Sequence, residues 1–165
     1  MIDIDNLNIN DLLSIEIPII RTNKKIEYLN IESSFDIETS SVKVQNEKSA
    51  FMYIWIFGIG YGEPVYYGRT WNEFIGLCRT LQQVYGLNEN RRLIIYVHNL
   101  SYEFQFMRKH FEWLNVFSVG ERKPIKALCT YGIEFRDSYI LSGYSLAKTG
   151  ENLQKHKVKK MVGDL

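Results

Sequence analysis

The sequence predicts an α/β domain in which helices pack on a mixed β-sheet. Three strand-like segments come first, at residues 26–37, 51–59 and 65–67, and they are joined by turns or loops. A helix, a strand, a second helix and further strands follow, so the later strands are expected to run parallel and the first three antiparallel. The 165 residues fit one domain with a single substantial core.

The first half of the chain divides by its turn residues. Residues 1–25 are polar, and Pro18 confines their one apolar patch to an edge strand or an extended arm. We therefore treat 1–25 as an N-terminal extension of a domain at 26–165. A polar loop is expected at 40–48. Glycines and Pro64 form the turn after 51–59, which makes 65–67 the returning arm of a hairpin.

The second half alternates between two periodicities. Apolar residues recur at helical spacing over 71–85, and Gly86 is placed as a helix stop. The continuous apolar run 93–97 predicts a strand buried on both faces, and a second helix is expected over 100–114. A short strand at 116–119, a hairpin with arms at 127–130 and 133–137, and a helical segment from Ser145 complete the prediction.

Composition narrows the class of protein. A net charge of +1 provides no global field toward nucleic acid or acidic membranes, so such binding would need a local patch. The two cysteines lack metal-ligand spacing and are expected to be reduced thiols of an intracellular protein. We find no signal peptide and no apolar run of membrane-spanning length.

Two acidic residues, Asp36 and Glu38, mark the end of the strand 26–37. Residues two apart in a strand point to one face, so the two carboxylates are expected to converge there. Like charges at that spacing are unfavourable unless a cation lies between them, and carboxylates are ligands that Mg²⁺ prefers. The alternative is a solvated turn, because Asp-x-Glu alone is a weak signal.

A second polar cluster follows the strand 93–97. If a helix begins there, Asn99 and Glu103 share a face beside the sheet. Tyr102 and Phe106, also four apart, offer aromatic faces for stacking nucleic-acid bases. The alternative is that Asn99 is an N-cap and Glu103 a first-turn acid without function.

These segments resemble motifs of a known family. The sequence Phe-Asp-Ile-Glu-Thr at 35–39 resembles the first exonuclease motif of family B DNA polymerases, and His-Asn-Leu-Ser-Tyr-Glu-Phe at 98–104 resembles the second, in its protein-primed phage and linear-plasmid form. Asp-Ser-Tyr at 137–139 with Tyr144 resembles the stretch that holds a single-stranded 3′ end. Residues 160–165 resemble the segment before the third motif.

The resemblance implies a ribonuclease-H-like fold and 3′–5′ proofreading hydrolysis of single-stranded DNA with two Mg²⁺ or Mn²⁺ ions. Its implied partners are the DNA 3′ end, a priming protein and the remainder of a polymerase chain, without a membrane, in the cytoplasm of a bacterial host. The implied catalytic and metal-binding residues are Asp36, Glu38 and Glu103. The implied DNA-binding residues are Thr39, His98, Asn99, Tyr102, Phe106, Ser138, Tyr139 and Tyr144.

Two departures from the family pattern leave alternatives open. The second motif usually has Asp where this chain has Glu103, and the third motif, a Tyr and an Asp one helical turn apart, is expected after Leu165. We therefore expect the front part of a polymerase. The alternatives are a non-catalytic nucleic-acid or protein-binding module, helped by a basic run at 155–160, and a separate small exonuclease completed by dimerisation or by a further C-terminal piece.

Overall fold

The computed structural model describes residues 1–153 of the chain. The basic run at 155–160 and the motif-like segment 160–165 lie outside the described residues. In chain order the elements are β1 (Ile2–Asp3), a 3₁₀ turn (Ile4–Asn6), α1 (Ile9–Leu13), β2 (Ile19–Arg21), β3 (Glu27–Leu29), β4 (Ser33–Val44), β5 (Glu47–Ile59), β6 (Val65–Gly68), α2 (Trp71–Tyr85), β7 (Arg91–Val97), α3 (Leu100–Met107), β8 (Trp113–Ser118), β9 (Pro124–Cys129), β10 (Ile133–Asp137), α4 (Tyr139–Ser142) and α5 (Leu146–Asn152).

The strands form a mixed sheet in the order β1-β6-β5-β4-β7-β10-β9-β8. Strands β4, β5 and β6 are antiparallel, and β7 and β10 then run parallel to β4. The predicted mixed α/β class is confirmed. Strands β8 and β9 add an antiparallel edge, and β1 pairs with β6, so the first residues of the chain join the same sheet.

The predicted strand 26–37 is split into two. Both pieces lie along the same partner, because Glu27 of β3 aligns with Arg91 and Phe35 of β4 aligns with Val97 of β7. Between β3 and β4 the backbone forms hydrogen bonds with partners outside β7. The Asn30 N–H donates to the Pro18 carbonyl, and the Gly60 N–H donates to the Glu32 carbonyl. Backbone bonding outside β7 therefore interrupts the strand.

The predicted loop 40–48 is wrong. Strand β4 continues to Val44 and pairs with β5 down to Lys43 opposite Lys48, with one register shift between Glu38 and Thr39. Gln45 and Asn46 form the turn between them, both with positive φ (49° and 65°). Two consecutive residues with a left-handed backbone match the twist of a tight hairpin turn. The polar residues on either side of this turn therefore belong to the two strands.

One of the two predicted helices has the expected bounds, and the other ends earlier than predicted. Helix α2 has the predicted bounds, a capping box between Thr70 and Glu73, and left-handed Gly86 at its end. The helix predicted over 100–114 stops at Met107. The Trp113 indole N–H donates to the Arg108 carbonyl at 2.8 Å, which satisfies a terminal group and lets β8 begin at once.

Helix α2 packs on one face of the sheet, and the segment that follows α3 joins it there. Phe35 stacks on Phe74 of α2 at 4.3 Å between ring centroids, and Phe111, just after α3, meets Phe74 at 5.9 Å. In β7 alternate residues are buried and half-buried, so the prediction of two fully buried faces is wrong. The remaining strand predictions are confirmed with small changes of bounds, and Ser145 caps α5. Within residues 1–153, no helix is long and apolar enough to cross a membrane.

Candidate active site

Three parallel strands bring the candidate residues together at one end of the sheet. Phe35 of β4 and Asp137 of β10 both align with Val97 of β7. The residues that follow these positions are Asp36, His98 and Ser138. Because the carboxyl ends of parallel strands lie at the same edge of a sheet, segments that are distant in the sequence meet here.

Asp137 ties two of these strand ends together. Its Oδ1 accepts hydrogen bonds from the backbone N–H groups of Asn99 (3.1 Å) and Tyr139 (2.9 Å). The Ser138 N–H donates to the Val97 carbonyl at 2.9 Å. This carboxylate therefore fixes the start of α3 against the start of α4.

Asn99 occupies the N-cap position of α3 in an unusual conformation. Its backbone is left-handed (φ 71°, ψ 56°), and its side chain makes no capping hydrogen bond. The helix begins at Leu100, so Asn99 does not share a helical face with Glu103. Asn tolerates this conformation better than most residues, and such outliers are frequent at binding sites.

Glu103 is the most unusual acid of the site. It lies on the buried side of α3 with Leu100 and Met107, is only 4% exposed, and its Oε2 has no hydrogen-bond partner. Its pKa is raised to about 8, first because burial penalises the charged form and also because the negative charges of Asp36 and Asp137 lie nearby. At neutral pH this carboxyl holds its proton unless a cation is present.

The charge of Asp36 lies close enough to Glu103 to raise the pKa of that carboxyl. Phe35 and Ile37 are buried, and Phe35 stacks on Phe74 of α2, so alternation along β4 turns Asp36 and Glu38 away from α2. Asp36 is half-buried and Glu38 is exposed.

The predicted aromatic surface forms beside Glu103. Tyr102, which is 43% exposed, and Phe106 have ring centroids 5.2 Å apart. The Tyr102 hydroxyl hydrogen-bonds the Thr39 hydroxyl at 2.5 Å. Thr39, predicted at the DNA end from a segment over sixty residues earlier, therefore contacts the second motif directly.

His98, the residue that follows β7, joins the same group. Its Nδ1 lies 3.2 Å from the Ser138 hydroxyl, its ring packs edge-on against Tyr139 at 5.5 Å, and its Nε2 is buried without a partner. Tyr144 lies further away along the chain, half-exposed after α4, where its N–H bonds the Ser142 hydroxyl.

A cleft of about 670 Å³ opens between α3, α4 and the β8–β9 turn. Asn99, Asp137 and Tyr139 line it together with Arg122 and Lys123 of that turn. Asp137 as a cluster member and the two basic residues were missed by the sequence analysis. The strand 133–137 was predicted, so parallel pairing with 93–97 could have placed Asp137. Gly120 and Pro124 could have marked the turn that carries the two basic residues.

The donor chemistry suits a hard divalent cation, because Glu103 has an unpartnered buried oxygen close to the charge of Asp36. Within residues 1–153, no three His, Cys, Asp or Glu side chains are gathered into a group that could hold a metal ion. The ligand set Asp36, Glu38 and Glu103 stays a prediction.

Comparisons of the chain with protein-family models, with curated proteins and with solved structures find no match.

Proposed function

We propose that this chain carries the 3′–5′ exonuclease site of a protein-primed family B type DNA polymerase, which hydrolyses the terminal phosphodiester of single-stranded DNA. One observation carries the proposal: Glu103 is buried without a hydrogen-bond partner for Oε2, next to the charges of Asp36 and Asp137. An acid kept in such a place costs stability, which is typical of functional sites.

The sheet supports a ribonuclease-H-like fold for this site. The resemblance implied an antiparallel trio followed by parallel strands, and β4–β6 followed by β7 and β10 have that arrangement. The first motif lies on the central strand β4 and the second at the start of α3. The two motifs are therefore neighbours, as a shared site requires.

Asp36 and Glu103 would hold Mg²⁺ or Mn²⁺, with exposed Glu38 available as a further carboxylate. When bound, such ions polarise the phosphodiester and lower the pKa of a water molecule. The chain's own contribution is to keep Glu103 away from bulk water and to leave its Oε2 without a competing hydrogen bond, so that this oxygen remains available. A neighbouring positive charge would lower the pKa of Glu103 from about 8.

The DNA end would lie over the aromatic and polar residues beside the carboxylates. Tyr102 and Phe106 offer faces on which bases stack, which is tolerant of sequence. Asn99 and Tyr139 line the adjacent cleft, and the Ser138 hydroxyl positions the His98 ring. Arg122 and Lys123 line this cleft with two positive charges, next to the negative charge of Glu121.

A second candidate is a non-catalytic nucleic-acid-binding module on the same fold. It is favoured by the pKa of Glu103, because a carboxyl that is protonated at pH 7 can donate a hydrogen bond and need not bind metal. This module would bind single-stranded DNA through Tyr102 and the basic residues, without cleavage.

A nuclease assay separates the two candidates. We expect Mn²⁺-dependent release of mononucleotides from the 3′ end of a 5′-labelled single-stranded oligonucleotide. The double variant Asp36→Ala/Glu38→Ala and the single variant Glu103→Gln should each lose about 100-fold of this rate, because each removes several kcal/mol of transition-state stabilisation.

The control is Glu47→Gln, an exposed acid at the far end of the β4–β5 hairpin, which should leave the rate unchanged. Equal rates in the wild type and both site variants would refute the catalytic role. DNA binding that survives those variants but falls in Tyr102→Ala, with no cleavage, would establish the non-catalytic module.

A further inference from the structure

A basic cleft lies at the other end of β7 from the carboxylates. It has a volume of about 470 Å³, and the β2–β3 turn and the segment before β7 enclose it. The lining residues are Arg21, Thr22, Lys25, Glu27, Asn88, Asn90 and Arg91. Three cations and one anion give the lining two net positive charges, in a chain whose net charge is only +1.

Part of this charge is structural. Glu27 accepts Arg21 Nε at 2.9 Å on Oε1 and an Arg91 terminal nitrogen at 2.9 Å on Oε2, so both carboxylate oxygens are used. Arg91 Nε donates to the Tyr85 carbonyl at 2.8 Å. These bonds tie β2, β3 and β7 together and hold the two guanidinium groups in place.

The same network leaves donors that no acid satisfies. Each arginine has a terminal nitrogen outside the bonds to Glu27 and Tyr85. Lys25 makes no ion pair with any residue in 1–153. A lining with fixed guanidinium groups and a spare ammonium matches the oxygen atoms of a phosphate group.

Lys25 also occupies a position where its backbone is strained. Its φ is 60°, in the tight turn where the Thr22 N–H donates to the Ile26 carbonyl and the Lys25 N–H donates to the Thr22 carbonyl. Glycine would adopt this conformation at lower cost. The turn therefore holds an unpaired ammonium at the cleft in spite of a conformational penalty.

The lining contains no aromatic or large aliphatic residue, so it offers no surface on which a nucleobase could stack. We propose that this cleft binds the phosphate group of an anionic ligand, recognised through Arg21, Lys25 and Arg91. The six-residue step from Arg91 to Val97 along β7 separates it from the carboxylates by about 20 Å. The inference is therefore independent of the proposed nuclease function.

The test is an NMR titration of the whole chain with inorganic phosphate, dTMP and an oligothymidine in parallel. We expect saturable amide shifts at Lys25, Asn90 and Arg91. The double variant Arg21→Gln/Lys25→Gln should bind about tenfold more weakly, because two charge-assisted contacts are lost. Saturation by phosphate and dTMP identifies a free phosphate as the source, and saturation by the oligothymidine alone identifies a nucleic-acid strand.

The matched control is Lys43→Gln/Lys48→Gln, a pair of exposed lysines that face each other across β4 and β5, with the same loss of charge. It should titrate like the wild type. The variant Lys25→Gly tests whether weaker binding results from unfolding. Glycine removes the conformational cost of the positive φ, so the melting temperature should not fall, whereas phosphate binding should weaken. Equal affinity in the Arg21/Lys25 variant and the control, or no saturable response in the wild type, would overturn the inference.

Discussion

Two buried glutamates in this fold are treated in opposite ways. Glu134 on β10 is completely buried, and Arg92 and Arg136 both pair with its carboxylate. Glu103 on α3 is almost as buried, yet within residues 1–153 no cation pairs with it and one of its oxygens has no partner.

The difference indicates where the fold is complete by itself. At Glu134 the chain supplies the compensating charge, and Tyr28 covers the Arg136 guanidinium at 5.3 Å. At Glu103 the neighbouring charges are negative, so a proton or an external cation must compensate. The chain itself neutralises one carboxylate and leaves the other to be neutralised from outside.

A large loss of stability is expected when the satisfied carboxylate is neutralised. Glu134→Gln leaves two arginines without their partner beside a buried amide, which should lower the free energy of unfolding by about 3 kcal/mol. Urea denaturation would show this as a lower midpoint with an unchanged slope.

Glu27→Gln also removes a doubly paired carboxylate, but its partner Arg21 is 78% exposed, so a much smaller loss is expected. Equal losses would mean that burial does not distinguish the two networks.

Neutralising Glu103 should have the opposite sign and depend on pH. Its pKa in the folded chain is about 8, above the ordinary value of 4.5, so the folded state retains a proton that the unfolded chain loses. Stability of the wild type therefore falls as pH rises from about 4.5 to 8. Glu103→Gln removes this dependence and should be more stable than the wild type at pH 9 by about 5 kcal/mol.

Urea titrations at pH 5 and pH 9, without divalent cations, measure this difference. At pH 5 the two proteins should be nearly equal, because the wild-type carboxyl is already neutral in the folded chain. Glu121→Gln, an exposed acid, provides the control and should show no such pH dependence. The same difference in stability between the wild type and Glu103→Gln at pH 5 and at pH 9 would contradict the environment assigned to Glu103.

The sequence predicted the fold more fully than the site. Apolar periodicity identified α2 with its end at Gly86, and the β9–β10 hairpin, because burial on one face dictates both patterns. The same reasoning overextended α3, since Phe111 and Leu114 continue its stripe although Trp113 ends the helix by bonding the Arg108 carbonyl. Long-range hydrogen bonding is invisible to a local pattern.

Within the site, alternation placed Asp36 and Glu38 on one face but could not say which face the helices cover. That depends on Phe35 packing against Phe74 of α2. The involvement of Asp137 depends on the parallel register of β10 with β7, which brings its carboxylate to the N–H of left-handed Asn99, the donor of the hydrogen bond between them. These features arise from strand pairing between distant segments, which a single sequence does not encode locally.

The smallest effect concerns the contact between the two motifs. Tyr102→Phe removes the hydroxyl that bonds Thr39 at 2.5 Å while keeping the ring against Phe106. Because Tyr102 is partly exposed, the loss should be about 1 kcal/mol. A double-mutant cycle with Thr39→Val, followed by urea denaturation, should give a coupling energy of similar size, whereas the cycle of Tyr102→Phe with Thr80→Val on α2 should give none. A coupling near zero for the Thr39 pair would mean that the first and second motifs are neighbours without being joined, and that the start of α3 is held at the site by Asp137 alone.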